Sequence, residues 1–342
     1  MSDADSLSLD FLDVLPYRPR PKPLESFTSY VIRVAEGNGI ATVTSFGEEL
    51  FPGLHRHALD YIGDSLAPNL SRLRRKVART EEELQATTCH HLLRKFGRSA
   101  NPQTASRFLI GAMSEGIRFC PLCLEADRGA NLEHFEHVQG AGEHQSKPQL
   151  PGEKEYYRLP WRFLMLEGCP QHGVELLDRC GHCGATIPLL SPNLKMAVCP
   201  SCEGNLATCL FTPLNVGGVG VNGDTGLDSR KVARVQQIWD DLVFLLTPQE
   251  WEQDDAIVAA NNIGLRYRLR RRNLGKTATE VAESVFGEPL PGRIRAMEVG
   301  SVSKSTRTGS FTAHVAYAGY LGATLQEVFT TERPTTWSTS TR

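Results

Sequence analysis

Cys120-Pro121-Leu122-Cys123, Cys169-Pro170-Gln171-His172, Cys180-Gly181-His182-Cys183 and Cys199-Pro200-Ser201-Cys202 decide how the middle of this 342-residue chain folds. Each places two metal ligands three positions apart, so that one tight turn can aim both side chains at a single ion. Proline or glycine inside each turn helps hold its shape. Four half-sites supply the ligands of two tetrahedral zinc sites, and repeated C-x2-C spacing is a specific signal. They can be paired in three ways. The last two form C-x2-C-x15-C-x2-C, within the usual zinc spacing, and closing them on each other costs little loop entropy. Sequential pairing then gives one site of three cysteines and a histidine (Cys120, Cys123, Cys169, His172) and one of four cysteines (Cys180, Cys183, Cys199, Cys202). An interleaved cross-brace is the main rival. His182 reads as a solvated turn residue, and Cys89 and Cys209 as buried thiols.

Both proposed sites are full. Four protein ligands leave no place for a water, so the two zinc ions are expected to be structural, and zinc hydrolysis or other catalysis is not expected. The chain carries 37 Lys and Arg against 39 Asp and Glu, a formal charge of −2. Counting the ligand thiolates and two zinc ions lowers that to about −5. A chain with no global basic excess can meet nucleic acid only through local patches. No apolar run approaches the roughly 18 residues of a membrane span. The acidic opening MSDADSLSLD lacks a signal-peptide pattern, and metal-spaced cysteines without one point to a reducing, cytoplasmic setting.

Outside the cysteine-rich middle the pattern is helical. Residues 1–23 read as an extended leader in which Pro16, Pro19, Pro21 and Pro23 forbid a helix; it either drapes over its own domain or docks on a partner. Phe27, Tyr30, Val31, Val34 and Ala35 then recur on one helical face, and Gly37-Asn38-Gly39 suits a C-cap. A second short helix over Thr44–Leu50 completes the outline of a helix-turn-helix, although any small bundle gives the same pattern. The stretch Leu70–Arg79 carries five basic residues in ten. Its Arg74 and Arg75 lie on either a solvated or a phosphate-contacting face. Gly140–Gly152 reads as a polar loop. Val216–Asp224 is glycine-rich but lacks G-x-x-x-x-G-K-[ST], so it reads as a linker. Val232, Val235, Ile238, Trp239, Leu242 and Leu246 mark an amphipathic helix that ends by Pro248. The densest basic run, Arg266, Arg268, Arg270, Arg271 and Arg272, flanks a possible second helix-turn-helix and is the other candidate for backbone-phosphate contact. Thr277–Gly287 reads as a helix with a glycine stop, and Ala323–Phe329 as one more short helix.

Pro23-Leu24-Glu25-Ser26-Phe27-Thr28-Ser29-Tyr30, followed by Arg33-Val34-Ala35 and Asn38-Gly39, resembles the N-terminal signature of the TniQ family. Arg118–Leu124, Tyr157-Arg158-Leu159-Pro160-Trp161, Cys169-x2-His172 and Cys180-x2-Cys183 resemble its later landmarks. The resemblance covers roughly residues 16–205 and fades beyond 225. It implies a mainly α fold with small zinc-ribbon β elements. The expected order is a leader (1–23), a helical N-terminal domain with a helix-turn-helix (24–115), two zinc-ribbon-like modules (116–210), a linker (211–227), a helical C-terminal domain (228–330) and a disordered tail (331–342). It also implies a bacterial, non-catalytic adaptor of transposition. Such adaptors bridge a target marker, either an RNA-guided CRISPR effector complex or a DNA site, to an AAA+ transposition ATPase (TniB- or TnsC-like). Some relatives homodimerise, and nothing in this sequence decides that. The rival from the residues is a stand-alone sequence-specific DNA-binding regulator.

Overall fold

Ser26 opens helix α1 (Phe27–Gly37), its hydroxyl accepting from the Ser29 N–H, and Asn38 closes it. Every residue from Phe27 to Ala35 is buried, which marks an internal helix rather than a surface one. The computed structural model describes residues 13–40, 64, 70–98, 102–128, 155–190, 195–214, 229–249, 263–299 and 309–330. The expected helix over Thr44–Leu50, the loop at 140–152, the linker at 216–224 and the tail lie outside the described residues.

Contacts divide the chain into two units. The first comprises Met1–Leu93, Ser99–Ser106 and Gly111–Pro248; the second comprises Arg94–Arg98, Arg107–Ile110 and Gln249–Arg342. Between α1 and the cysteine-rich part come short helices α2 (Ser71–Val77), α3 (Glu81–Gln85), α4 (His90–Lys95) and α5 (Pro102–Leu109). Residues 121–128 form α6. Among the described residues, extended structure is confined to a hairpin of β1 (Gly168–Cys169) and β2 (Val174–Glu175), antiparallel with Cys169 opposite Val174, and to isolated bridges. Helix α7 (Ser229–Leu246) belongs to the first unit and buries Val235, Ile238, Leu242, Leu245 and Leu246. It packs on the 3-10 turn Leu159–Arg162, whose Trp161 is fully buried.

The described part of the proline-rich leader lies along its own unit. Asn38 accepts from the Tyr17 N–H and donates to the Tyr17 carbonyl; the Tyr30 hydroxyl donates to the Pro19 carbonyl, and Arg79 donates to the Arg18 and Pro19 carbonyls. Glycine at position 37 is required by this packing, since a Cβ there would sit 2.0 Å from the Tyr17 ring.

Among the described residues beyond Gln249, the second unit contains α8 (Ile263–Asn273), α9 (Ala278–Phe286), α10 (Pro291–Val299), α11 (Phe311–Tyr320) and α12 (Leu325–Thr330). Thr277 and Glu280 form a reciprocal capping box at the start of α9, and Gly287 ends it with φ 70°. The core is aromatic. Phe96 meets Phe108, Phe311, His314 and Phe329 with ring centroids 4.9 to 5.8 Å apart, and Tyr267 stacks on Tyr317 at 4.5 Å. One buried ion pair crosses it, from Arg271 of α8 to Glu298 of α10 at 3.0 Å between Nη2 and Oε2.

Candidate metal centres

Three of the four half-sites are built by the same local rule. After the second ligand the chain enters the left-handed region, at Gly173 (φ 62°), Gly184 (φ 74°) and Glu203 (φ 57°). That residue's N–H returns to the carbonyl of the first ligand: Gly173 to Cys169 at 2.9 Å, Gly184 to Cys180 at 2.8 Å, Glu203 to Cys199 at 2.9 Å. Glycine takes this conformation without strain and glutamate does not. The first half-site differs. Cys120 precedes α6, and the Leu124 N–H bonds the Cys120 carbonyl at 3.2 Å, so this pair of thiols opens a helix. A helix N-terminus favours thiolate.

The eight side chains gather in the sequential pairing. Cys120, Cys123, Cys169 and His172 bring their ligand atoms within 4.8 Å of one another, as do Cys180, Cys183, Cys199 and Cys202. In the first cluster Cys123 Sγ is 3.5 Å from Cys169 Sγ, and His172 Nδ1 lies 3.2, 3.5 and 3.6 Å from Cys123, Cys169 and Cys120. In the second, Cys180 to Cys202 and Cys183 to Cys199 are each 3.7 Å. A tetrahedron with zinc–sulfur bonds of about 2.3 Å has edges of about 3.8 Å. The spacing and the all-sulfur and sulfur-plus-imidazole donor sets therefore fit a four-coordinate metal and are compatible with zinc.

Hydrogen bonding among the thiols splits their titration in the first cluster, pushing Cys123 up and Cys169 down. The Cys120 and Cys123 thiols donate toward Cys169 and hold it down to about 2. Burial pushes the Cys199 thiol up, but the N–H groups of Cys202 and Ser201 donate to it and bring it down to about 7. His172 contributes Nδ1. The neighbouring His182 is exposed, with Nε2 3.0 Å from the Asn205 carbonyl oxygen and 3.2 Å from Thr208 Oγ1. It belongs to the wall of the second cluster and not to its ligand set. Cys209, read from sequence only as a buried thiol, accepts the Gly181 N–H at 3.1 Å and so backs the same turn. Cys89 is buried near Asp64 and Arg162, away from both clusters.

The TniQ-like signature residues converge beneath the first cluster. Glu25 is buried and accepts from Arg33 Nη1 at 2.8 Å, Ser29 Oγ at 3.0 Å and the Lys22 N–H at 2.9 Å. Ser29 Oγ accepts in turn from the Tyr157 N–H, and Leu159 N–H bonds the Leu24 carbonyl at 2.7 Å. Asp64 accepts from Thr28 N–H and Oγ1 and from Arg162, whose Nη2 also donates to the Ser114 carbonyl. Arg158 is held by both oxygens of Asp127, at 2.9 and 3.2 Å, and lies over the rings of Tyr156 and Trp161. These side chains join α1, Met113–Phe119 and Tyr156–Phe163 into one frame. No sequence periodicity pointed to this network, because its partners lie up to 128 residues apart.

The candidate nucleic-acid residues have a different fate. Arg271 is buried against Glu298; Arg266 donates to the Val328 carbonyl, and Arg270 to those of Leu321 and Gly322. Three of the five arginines in the run thus brace their own unit. Arg268 is half-buried and Arg272 exposed. Arg74 pairs with Glu81 at 2.9 Å on the surface, beside exposed Arg75. Among the described residues no helix is long and apolar enough to cross a membrane.

Residues 16–176 match the TniQ family model, so that this stretch is a TniQ domain, of a transposition-associated family. The match contains the whole first cluster and ends before the second. Comparison with curated proteins gives no match.

Proposed function

We propose that this chain, whose residues 16–176 form a TniQ domain, is a non-catalytic target-selection adaptor of transposition. It links a marked target, either an RNA-guided effector complex or a DNA site, to an AAA+ transposition ATPase. The family match carries this reading. Two features of the site support it. Each ligand cluster is complete with four protein donors, the arrangement of a structural metal and not of a Lewis-acid site with an open position. The signature side chains Glu25, Ser26, Thr28, Ser29 and Arg33 are buried, so the signature acts as architecture and leaves recognition to outer surfaces.

In this reading both clusters hold zinc. Zinc joins segments that have little regular structure of their own, since its binding free energy becomes folding free energy. An N-terminal helix-turn-helix would be completed by residues following α1. The alternative, a stand-alone DNA-binding regulator, predicts sequence preference with no ATPase partner at all.

The test is a pull-down of the tagged full chain from cells carrying the rest of its transposon, with and without nuclease. An ATPase recovered with effector subunits despite nuclease supports the RNA-guided branch; an ATPase lost on DNA digestion supports direct DNA selection. Recovery of no ATPase in either arm overturns the adaptor reading.

A further inference from the structure

Helices α9 and α10 are joined by only Gly287, Glu288, Pro289 and Leu290. Gly287 turns the chain in the left-handed conformation, and Pro291 starts α10 where no intrahelical N–H bond is needed. Two packed helices joined by a short glycine-containing turn share the connectivity of a helix-turn-helix, in which the second helix is the one that enters the major groove of DNA.

α10 is built to be presented rather than enclosed. It buries Ile294, Met297 and Glu298 on one side and exposes Gly292, Arg295 and Val299 on the other. The buried side is locked. Glu298 takes Arg271 and, at 2.8 Å, the Tyr317 hydroxyl, while Gly264 of α8 passes so close that a Cβ there would lie 2.3 Å from the Met297 carbonyl oxygen. A helix held this firmly offers its outer face at little cost in lost freedom on binding.

The chemistry of that face fits duplex DNA. Its one carboxylate, Glu298, is buried, so α10 exposes no negative charge. Arg295 is exposed without a partner among the described residues, and Arg293 pairs with Glu288 at 3.4 Å. Gly292 and half-buried Ala296 allow close backbone approach, and Leu290 and Val299 expose apolar surface of the kind that meets a thymine methyl group. Residues 263–330 contain ten Lys and Arg against five Glu and no Asp, in a chain whose formal charge is −2. Arg272 and Lys276 add exposed cations on α8 and in the turn before α9, suited to backbone phosphates.

We infer that the second unit is a duplex-DNA reader in which α10 (Pro291–Val299) enters the major groove and Arg295 contacts base edges. The inference lies outside the TniQ-matched residues and does not rest on the adaptor reading. It also relocates the basic contact expected of Arg266, Arg270 and Arg271, which brace the unit from within.

The test uses the full-length protein and a random-sequence duplex pool, followed by anisotropy titration of the enriched and a scrambled duplex at fixed salt. A preferred sequence should emerge. Arg295→Ala should weaken the enriched duplex about tenfold or more, while affinity for the scrambled duplex changes little. Gly292→Glu should weaken both. An added Cβ at Gly292 meets nothing within 4 Å, and a carboxylate in the first turn suits the helix dipole, so the melting temperature should hold or rise. No enrichment over scrambled duplex overturns the inference, whether or not the face captures an acidic polypeptide instead. So does a preference that both substitutions leave intact. ATPase binding by the same two variants should be unchanged, which separates this test from that of the adaptor.

Discussion

The first unit buries several charged and polar side chains within its apolar core, whereas the second builds its core largely from rings. Glu25, Ser29, Arg33, Asp64 and Arg162 are all buried in the first unit, beside two ligand clusters and a hairpin of two-residue strands. The second unit has capped helices, Phe96, Phe108, Phe311 and Phe329 around His314, and one buried ion pair. Segments without helix or sheet cannot satisfy their backbone locally, so the first unit needs metal and side-chain bonds between distant segments. A bundle of helices satisfies its own backbone and needs only apolar packing. The contrast matches the proposed division of labour: a metal-organised frame for protein contacts and a self-sufficient bundle for DNA.

Metal removal should separate the units most sharply. Chelation, or Cys169→Ser, is expected to abolish the first unit's cooperative unfolding, since structural zinc contributes on the order of 10 kcal/mol or more. Calorimetry should then retain a metal-insensitive transition from the second unit. Loss of both transitions together would erase the contrast. Next in size are the buried ion pairs. Arg162→Ala strands Asp64, and Arg271→Ala strands Glu298; each should cost about 3–5 kcal/mol in denaturant titrations and affect only its own unit's transition.

Acid should weaken the second unit through His314. Burial, with Arg98 adding to it, pushes its imidazole down to about 3, and neither ring nitrogen has a partner among the described residues. The unfolded chain takes up that proton near 6.5 while the folded unit refuses it, so stability present above about 6.5 is lost as pH falls toward 3. Going from pH 7 to pH 5 should cost about 2 kcal/mol, and His314→Leu should remove that slope. An identical slope in the variant would assign it to other groups. The smallest effect concerns the left-handed turns. Gly184→Ala should destabilise the second cluster by about 1–2 kcal/mol, and Glu203→Gly should stabilise it by a similar amount, read as a shift in chelator resistance.

The ligand set was the most legible part of the sequence, because C-x2-C spacing is a local chemical constraint that survives without knowledge of the fold. The helix over Thr277–Gly287 was readable for the same reason: its cap, its glycine stop and its apolar spacing are all local. Glu25 with Arg33, and Asp64 with Arg162, were not readable, since nothing near a buried acid names a partner 98 residues away. Helices α10 and α11 were also missed. Glu298 sits at an inward position of α10, and α11 puts Ala313, His314 and Ala318 at inward positions where a periodic pattern would show large apolar groups. That Arg266, Arg270 and Arg271 bond groups of their own unit was not legible, because composition cannot distinguish a guanidinium that meets phosphate from one that caps its own chain's carbonyls.

The most direct test of the adaptor account is reconstitution. Purified full-length protein would be mixed with the AAA+ ATPase of its own transposon and ATP, without nucleic acid, and the mass of the products measured by light scattering after size exclusion. The account predicts a complex that contains both proteins and is lost when the first unit's metal is stripped. Elution of the two proteins separately, at every concentration and again with target DNA present, would contradict it.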